Sequence, residues 1–61
     1  MIYVDYTYMK KDGTIKSGTT SFTSVKKAVR FVYSLNARPN YSYDGFSCDD
    51  EDELMEMNNY L

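Results

Sequence analysis

The sequence has 61 residues, a formal net charge of −2 and a single cysteine, with no histidine and no tryptophan. A chain of this length forms one domain, residues 1–61, and buries only about 60% of the surface that its unfolded form exposes. An internal disulfide is excluded because it needs two cysteines, and a zinc site is disfavoured because zinc binds several cysteine and histidine side chains. Stability must come from local packing, in which ten aromatic residues can take part, or from self-association as a homo-oligomer.

The first residues do not resemble a targeting signal. After Met1 the chain alternates between apolar and polar residues, with no basic region and no continuous apolar run, so a secretory signal is not expected. No stretch approaches the roughly 18 apolar residues of a membrane span. A single thiol is typical of a reducing compartment. We therefore expect a cytoplasmic protein without membrane contact.

Residues 2–10 are predicted to form a strand because apolar and polar residues alternate along them. One face of this strand consists of Ile2, Val4, Tyr6 and Tyr8. A turn follows at Asp12 and Gly13, since glycine adopts a positive φ without steric cost and aspartate can accept a hydrogen bond within its own turn. A second strand at residues 14–22 completes a hairpin, and its serines, threonines and central Gly18 are typical of an edge strand or a bent strand.

Two registers of this hairpin are compatible with its turn. A two-residue turn would pair Lys10 with Ile15, whereas a type I turn with Gly13 as a bulge would pair Met9 with Ile15. The second register is favoured because it places Phe22 on the same face as the apolar residues of the first strand. A buried face fixes register more strongly than turn statistics do.

The central element is an amphipathic helix within residues 22–36. At about 100° per residue, one broad apolar face consists of Val25, Ala28, Val29, Phe31, Val32, Tyr33 and Leu35. The opposite face consists of Lys26, Lys27, Arg30 and Ser34. The side chain of Thr23 or Ser24 is expected to cap the first turn, and the helix is expected to stop at Asn36, shortly before Pro39. A face this wide needs cover from more than one neighbouring element.

The last third of the chain predicts one more strand and a second helix. Residues 41–46 alternate up to a turn or bulge at Asp44 and Gly45. Residues 47–61 are predicted to be helical, capped by Ser47 or by one of the aspartates that follow it. The apolar face of this helix consists of Leu54, Met57 and Leu61. The order β-β-α-β-α predicts a single α+β domain in which an antiparallel sheet of two or three strands packs against the central helix, with an acidic C-terminal helix.

Charge is distributed unevenly along the chain. Residues 13–43 carry five basic residues and no acid, whereas residues 44–61 carry seven acids and no base. Acids at the start of a helix are ordinary because they complement its dipole, and here they lack the ligand spacing of a calcium-binding loop. Grouped on one helix, they can also mimic a row of phosphates and occupy a basic groove. The candidate protein-binding residues are Asp49, Asp50, Glu51, Asp52, Glu53 and Glu56.

The basic residues of the central helix define an alternative site. Lys26, Lys27 and Arg30, extended by Lys16 and Arg38, would form the phosphate-contacting face of a nucleic-acid-binding protein. The ordinary interpretation is a solvated helix face whose long side chains cover apolar surface. In a third arrangement the acidic helix lies beside this face and neutralises it, through surface pairs worth about 0 to 1 kcal/mol each.

Catalysis and cofactor binding are disfavoured. No histidine is available as a general base, no serine lies in a nucleophile elbow, and no glycine-rich loop is present to hold a phosphate. The acids near Cys48 raise the expected pKa of its thiol, which disfavours a reactive cysteine. We expect no catalytic residues, no metal ligands and no cofactor. A base-stacking platform would require an exposed cluster among Tyr3, Tyr6, Tyr8, Tyr41 and Tyr43, of which Tyr6 and Tyr8 are better placed for the core or its margin.

Two resemblances bear on function. The segment GTTSFTSVKKAVRF, which follows the predicted strands, is similar to the strand-to-helix junction of the arm-type DNA-binding domains of phage integrases. In that family a three-stranded sheet enters the major groove. The size of the chain, its richness in lysine and tyrosine, and its acidic end resemble small uncharacterised phage and prophage proteins of Gram-positive bacteria. Some of those proteins inhibit host enzymes by binding them.

The sequence therefore favours a non-enzymatic, cytoplasmic binding or regulatory protein of phage or prophage type. Its acidic C-terminal helix would engage a protein partner. The alternative is a small nucleic-acid-binding accessory protein that uses the basic face of the central helix, and a self-associating structural module is a third interpretation.

Overall fold

A computed structural model describes residues 1–61 and has the predicted class and order of elements, α+β in the order β-β-α-β-α. The elements are β1 (Ile2–Met9), β2 (Ile15–Phe22), α1 (Val25–Ala37), β3 (Tyr41–Cys48) and α2 (Glu51–Tyr60). The three strands form one antiparallel sheet in the order β2-β1-β3, so β1 is central. The first strand can be central because β3 returns to its free edge after α1 has crossed the sheet.

The β1–β2 hairpin has the favoured register, and β2 lies at an edge of the sheet as predicted. Met9 pairs with Ile15 at the turn, and Phe22 lies opposite the first residue of β1. Gly13 has a φ of +89°, in the region that favours glycine. The Thr14 amide donates to the Asp12 Oδ1 at 2.9 Å, which closes the turn.

β3 is two residues longer than predicted because a bulge at Asp44 lets the strand continue. Asp5 pairs with Gly45 and Tyr6 pairs with Tyr43, so Asp44 is an extra residue without a partner on β1. One inserted residue reverses the alternation of side chains along the strand. As a result, the side chains on both sides of the bulge pack against the same core: Tyr41, Tyr43, Phe46 and Cys48.

The core lies between one face of the sheet and α1, with a single contribution from α2. Its seven buried residues are Ile2, Val4, Ala28, Val29, Val32, Leu35 and Met57. Val25 and Phe31 are half-buried at the margin of this core. The predicted apolar face of α1 is therefore confirmed except at Tyr33, whose side chain is 55% exposed. Tyr33 lies at the edge of the face, and its hydroxyl donates to the Tyr60 carbonyl at 3.4 Å.

The N-terminal end of α1 lacks the predicted side-chain cap, whereas its C-terminal end lies one residue beyond the predicted stop. Ser24 is the N-cap residue, but neither its side chain nor that of Thr23 makes the predicted capping hydrogen bond. The first turn is closed through the backbone, where the Ala28 amide donates to the Ser24 carbonyl at 3.1 Å. The helix continues one residue past Asn36, and Arg38 is extended, as expected of the residue before Pro39.

α2 begins later than predicted because β3 takes up residues 47 and 48. One of the expected aspartates caps it: the Asp50 Oδ1 accepts a hydrogen bond from the Asp52 amide at 2.8 Å. Met57 is fully buried, but Leu54 and Leu61, predicted to share its apolar face, are 39% and 46% exposed. Only one side chain therefore anchors α2 in the core. Neither helix combines the length and the apolar character that crossing a bilayer would require.

Candidate functional site

The acidic residues lie at the end of the sheet where β1 begins and β3 ends. The Asp49 amide donates to the Met1 carbonyl at 3.2 Å, which brings the start of α2 beside the first residue of the chain. The Met1 ammonium donates to the Glu53 Oε1 at 2.9 Å, and this is the one salt bridge of the structure. The carboxylates raise the pKa of the Met1 amine above its ordinary value, chiefly because the Glu53 carboxylate accepts its hydrogen bond.

Three of the six candidate acids are engaged within the molecule and three are not. Asp50 caps α2, Glu53 binds the terminal ammonium, and the Asp49 Oδ2 accepts from the Tyr3 hydroxyl at 3.4 Å. The negative charge of Asp49 is the main reason that the pKa of Tyr3 is raised. The side chains of the other three acids are exposed and make no hydrogen bond or salt bridge: Glu51, Asp52 and Glu56. These three carboxylates can bind a partner without breaking an internal contact.

α2 also exposes apolar side chains beside these acids, which the sequence did not predict. With 100° per residue and Met57 facing the core, Leu54 and Leu61 lie on one flank of the helix, and Met55 lies on its outer side. Met55 is 65% exposed. Glu51 lies between Leu54 and Met55 around the helix axis. We call Glu51, Leu54, Met55 and Leu61 the α2 flank, a surface of three apolar side chains and one carboxylate.

The candidate basic residues lie on the outer side of α1. Lys26, Lys27 and Arg30 are exposed, and none of their nitrogen atoms is within 4.0 Å of a carboxylate oxygen. Both helices begin at the same end of the sheet, since Ile2 pairs with Phe22 and with Cys48. The third arrangement, in which the acidic helix neutralises the basic face through ion pairs, is nevertheless not observed, because no ion pair joins the two helices.

The two faces of the sheet differ in chemistry. The face covered by α1 carries the tyrosine cluster Tyr6, Tyr8 and Tyr41, whose ring centroids are 5.5 to 6.2 Å apart. The uncovered face is rich in serine and threonine, and its carboxylates Asp5 and Asp44 accept hydrogen bonds from threonine hydroxyls. By strand alternation no lysine or arginine side chain of the sheet lies on that face.

Neither an activated thiol nor a cluster of metal-binding side chains is present. The half-buried thiol of Cys48 has a pKa raised by burial and, to a lesser extent, by Glu53, so the thiolate is disfavoured. No group of three or more metal-binding side chains is clustered. One shallow depression of about 160 Å³ lies at the hairpin end of the sheet. Its lining residues are Thr7, Tyr8, Met9, Ile15, Pro39, Asn40 and Ser42.

Comparison with known proteins does not indicate which of these surfaces binds a partner. No protein family model, curated protein sequence or solved structure matches the chain. The α2 flank combines exposed apolar area with unpaired charge, and such a combination is typical of a site that binds a protein. On the uncovered face of the sheet, the Thr7 and Thr19 hydroxyls are paired with carboxylates, and Met9 and Ile15 are exposed at its hairpin end.

Proposed function

We propose that this chain is a small, non-enzymatic binding protein of phage or prophage type that acts in the bacterial cytoplasm and engages a protein partner through α2. The observation that supports this most is the exposure of Leu54, Met55 and Leu61 next to the unpaired carboxylates of the same helix. In the monomer Leu54, Met55 and Leu61 leave 39%, 65% and 46% of their surface exposed. Burying them against a partner removes apolar surface from water, which is the main source of affinity in protein association.

The charge of α2 sets the chemistry of the partner. Glu51, Asp52 and Glu56 carry negative charge without an internal counterion, and residues 44–61 contain no base. The fitting partner is a protein with an apolar groove bordered by lysine or arginine. The apolar contact supplies affinity, while complementary charge steers the encounter and fixes orientation. A polyanion such as nucleic acid would be repelled from this helix.

The attachment of α2 through one buried residue also suits a binding role. Its contacts with the rest of the domain include the Met57 side chain, the Glu53 salt bridge at its start and the Tyr33 hydrogen bond at its end. Most other side chains of α2 are exposed and can contact a partner. A helix presented in this way can insert its exposed side into a groove while the sheet and α1 keep their fold.

Two charge-reversal variants, one on α2 and one on α1, test the proposal. The acidic variant is Glu51→Lys with Asp52→Lys, and the matched control is Lys26→Glu with Lys27→Glu on α1; all four side chains are exposed and unpaired. Each purified protein serves as bait in a bacterial lysate, and bound proteins are compared by quantitative mass spectrometry. We expect a protein that the native chain and the control both retain and that the acidic variant loses. Loss in the control alone would favour the basic face, and retention by both variants would contradict the assignment to α2.

A further inference from the structure

The hairpin end of the sheet, opposite the start of α2, carries a rigid aromatic surface. The Tyr8 and Tyr41 rings are stacked, with centroids 5.5 Å apart and planes inclined by 21°, and both side chains are partly exposed. Tyr6 lies beneath them, 6.0 and 6.2 Å away. Its ring packs edge-on against Phe31 at 5.6 Å and covers Gly18, where a Cβ atom would lie only 2.8 Å from the Tyr6 hydroxyl oxygen. The inner ring is therefore anchored to the core, and it supports the two outer rings.

Cations surround this aromatic surface. The Arg38 guanidinium carbon lies 5.4 Å from the centroid of the Tyr41 ring, within the range of a cation–π contact. Lys16 pairs with Tyr8 across the strands and projects to the same face, and Lys10 directly follows β1 at the hairpin turn. All three cations are exposed and none forms a salt bridge. We call Tyr8, Tyr41, Lys10, Lys16 and Arg38 the hairpin-end surface.

The carboxylates of the molecule leave this surface positive. Asp12 is the acid of the turn, and its Oδ1 is occupied by the Thr14 amide. Asp5 and Asp44 project to the opposite face of the sheet, where each accepts a hydrogen bond from a threonine. The acids of α2 begin at the far end of β1, about 25 Å away at the rise of an extended strand. Asp12 remains ionised, so this end of the sheet combines aromatic rings with three unpaired cations and one carboxylate, which leaves a net positive charge.

We propose that the hairpin-end surface binds single-stranded nucleic acid. Partly exposed tyrosines accept bases by stacking, and lysine and arginine nearby neutralise the phosphates that connect them. A single strand fits better than a duplex, because the bases of a duplex are already stacked on one another and cannot lie on a tyrosine. The site shares no residue with α2, so it stands independently of the protein-binding function proposed above.

The test is fluorescence anisotropy of labelled dT12 and rU12 titrated with the protein at low salt. We expect both strands to bind, with log affinity falling against log salt at a slope of about −2 if the three cations each neutralise one phosphate. Tyr41→Leu should weaken binding by about 5- to 100-fold, the range for loss of one base–aromatic stack. Lys16→Glu should weaken binding and flatten the salt dependence.

Matched controls lie outside the hairpin-end surface. Tyr60→Leu removes an exposed tyrosine of α2, and Lys27→Glu reverses an exposed cation of α1; neither should change affinity for dT12. Circular dichroism establishes that each variant is folded. If Tyr41→Leu does not fold, Lys16→Glu decides, because Lys16 is exposed and contributes no buried contact. The proposal is overturned by absence of binding, by unchanged affinity in folded Lys16→Glu, by equal losses in the controls, or by a 12-base-pair duplex that binds as tightly as dT12.

Discussion

Replacing Met57 with alanine tests how α2 is held to the domain. Met57 is fully buried, and it is the one side chain of α2 in the core. Truncating a buried methionine to alanine costs about 2 to 5 kcal/mol, whereas a 61-residue domain has a total stability of only about 3 to 9 kcal/mol. We therefore expect Met57→Ala to lose most of its stability, and the C-terminal helix to detach before the sheet unfolds.

Guanidinium denaturation followed by circular dichroism measures this loss, and Met55→Ala is its matched control. Met55 lies on the same helix but is 65% exposed, so its truncation should change stability by no more than about 0.5 kcal/mol. Met57→Leu keeps nearly the same volume and should cost less than about 1.5 kcal/mol. A loss below about 1 kcal/mol in Met57→Ala, or equal losses at positions 55 and 57, would refute the account of α2 as a helix anchored by one residue.

Three further changes test the local structure. Asp50→Ala should cost about 1 kcal/mol because it removes the α2 cap, whereas Ser24→Ala should be nearly neutral because Ser24 makes no side-chain cap, and thermal melting compares the two. The turn hydrogen bond lowers the pKa of Asp12 below 3.8, so its contribution to stability is present above that pH and is lost as pH falls through the lower folded value. Asp12→Asn, which accepts the same bond without titrating, should remove that part of the acid dependence in a series of melts. Gly18→Ala should destabilise the protein by about 1 to 3 kcal/mol, because the new Cβ meets the anchored Tyr6 ring. This loss of stability should vanish in a Tyr6→Leu background, and an unchanged loss there would contradict the contact with Tyr6 as its cause.

The hairpin and α1 could be predicted because their apolar residues admit one arrangement. Only the register that pairs Met9 with Ile15 places Phe22 on the buried side of the sheet, and the structure has that register. The same reasoning gave the buried residues of α1, whose period is unambiguous. The C-terminal end of β3 was harder to predict because the bulge at Asp44 reverses the alternation of its side chains. Such an interruption in the sequence pattern resembles the end of a strand.

The surfaces of α2 could not be predicted from periodicity. Leu54, Met57 and Leu61 recur at helical spacing, which shows that they share a side but not how much core remains to cover them. α1 already covers the helix side of the sheet, and Met57 is the one side chain of α2 that is buried in the core. The sequence shows the acidic residues of the candidate site, whereas its helical spacing predicts a shared apolar face for Leu54 and Leu61, which the structure leaves partly exposed. The stacking of Tyr8 on Tyr41 depends likewise on the long-range pairing that brings β1 and β3 together.

A photo-crosslinking amino acid at position 55 tests the central proposal most directly. Introduced at exposed Met55 on α2, and separately at exposed Ser21 on β2 as a control, it reports which surface touches a partner inside living bacterial cells. The account predicts a protein adduct from position 55 that is absent from position 21 and disappears when Glu51 and Asp52 are changed to lysine. The same adduct from both positions, or an adduct from position 21 alone, would contradict a partner bound by α2.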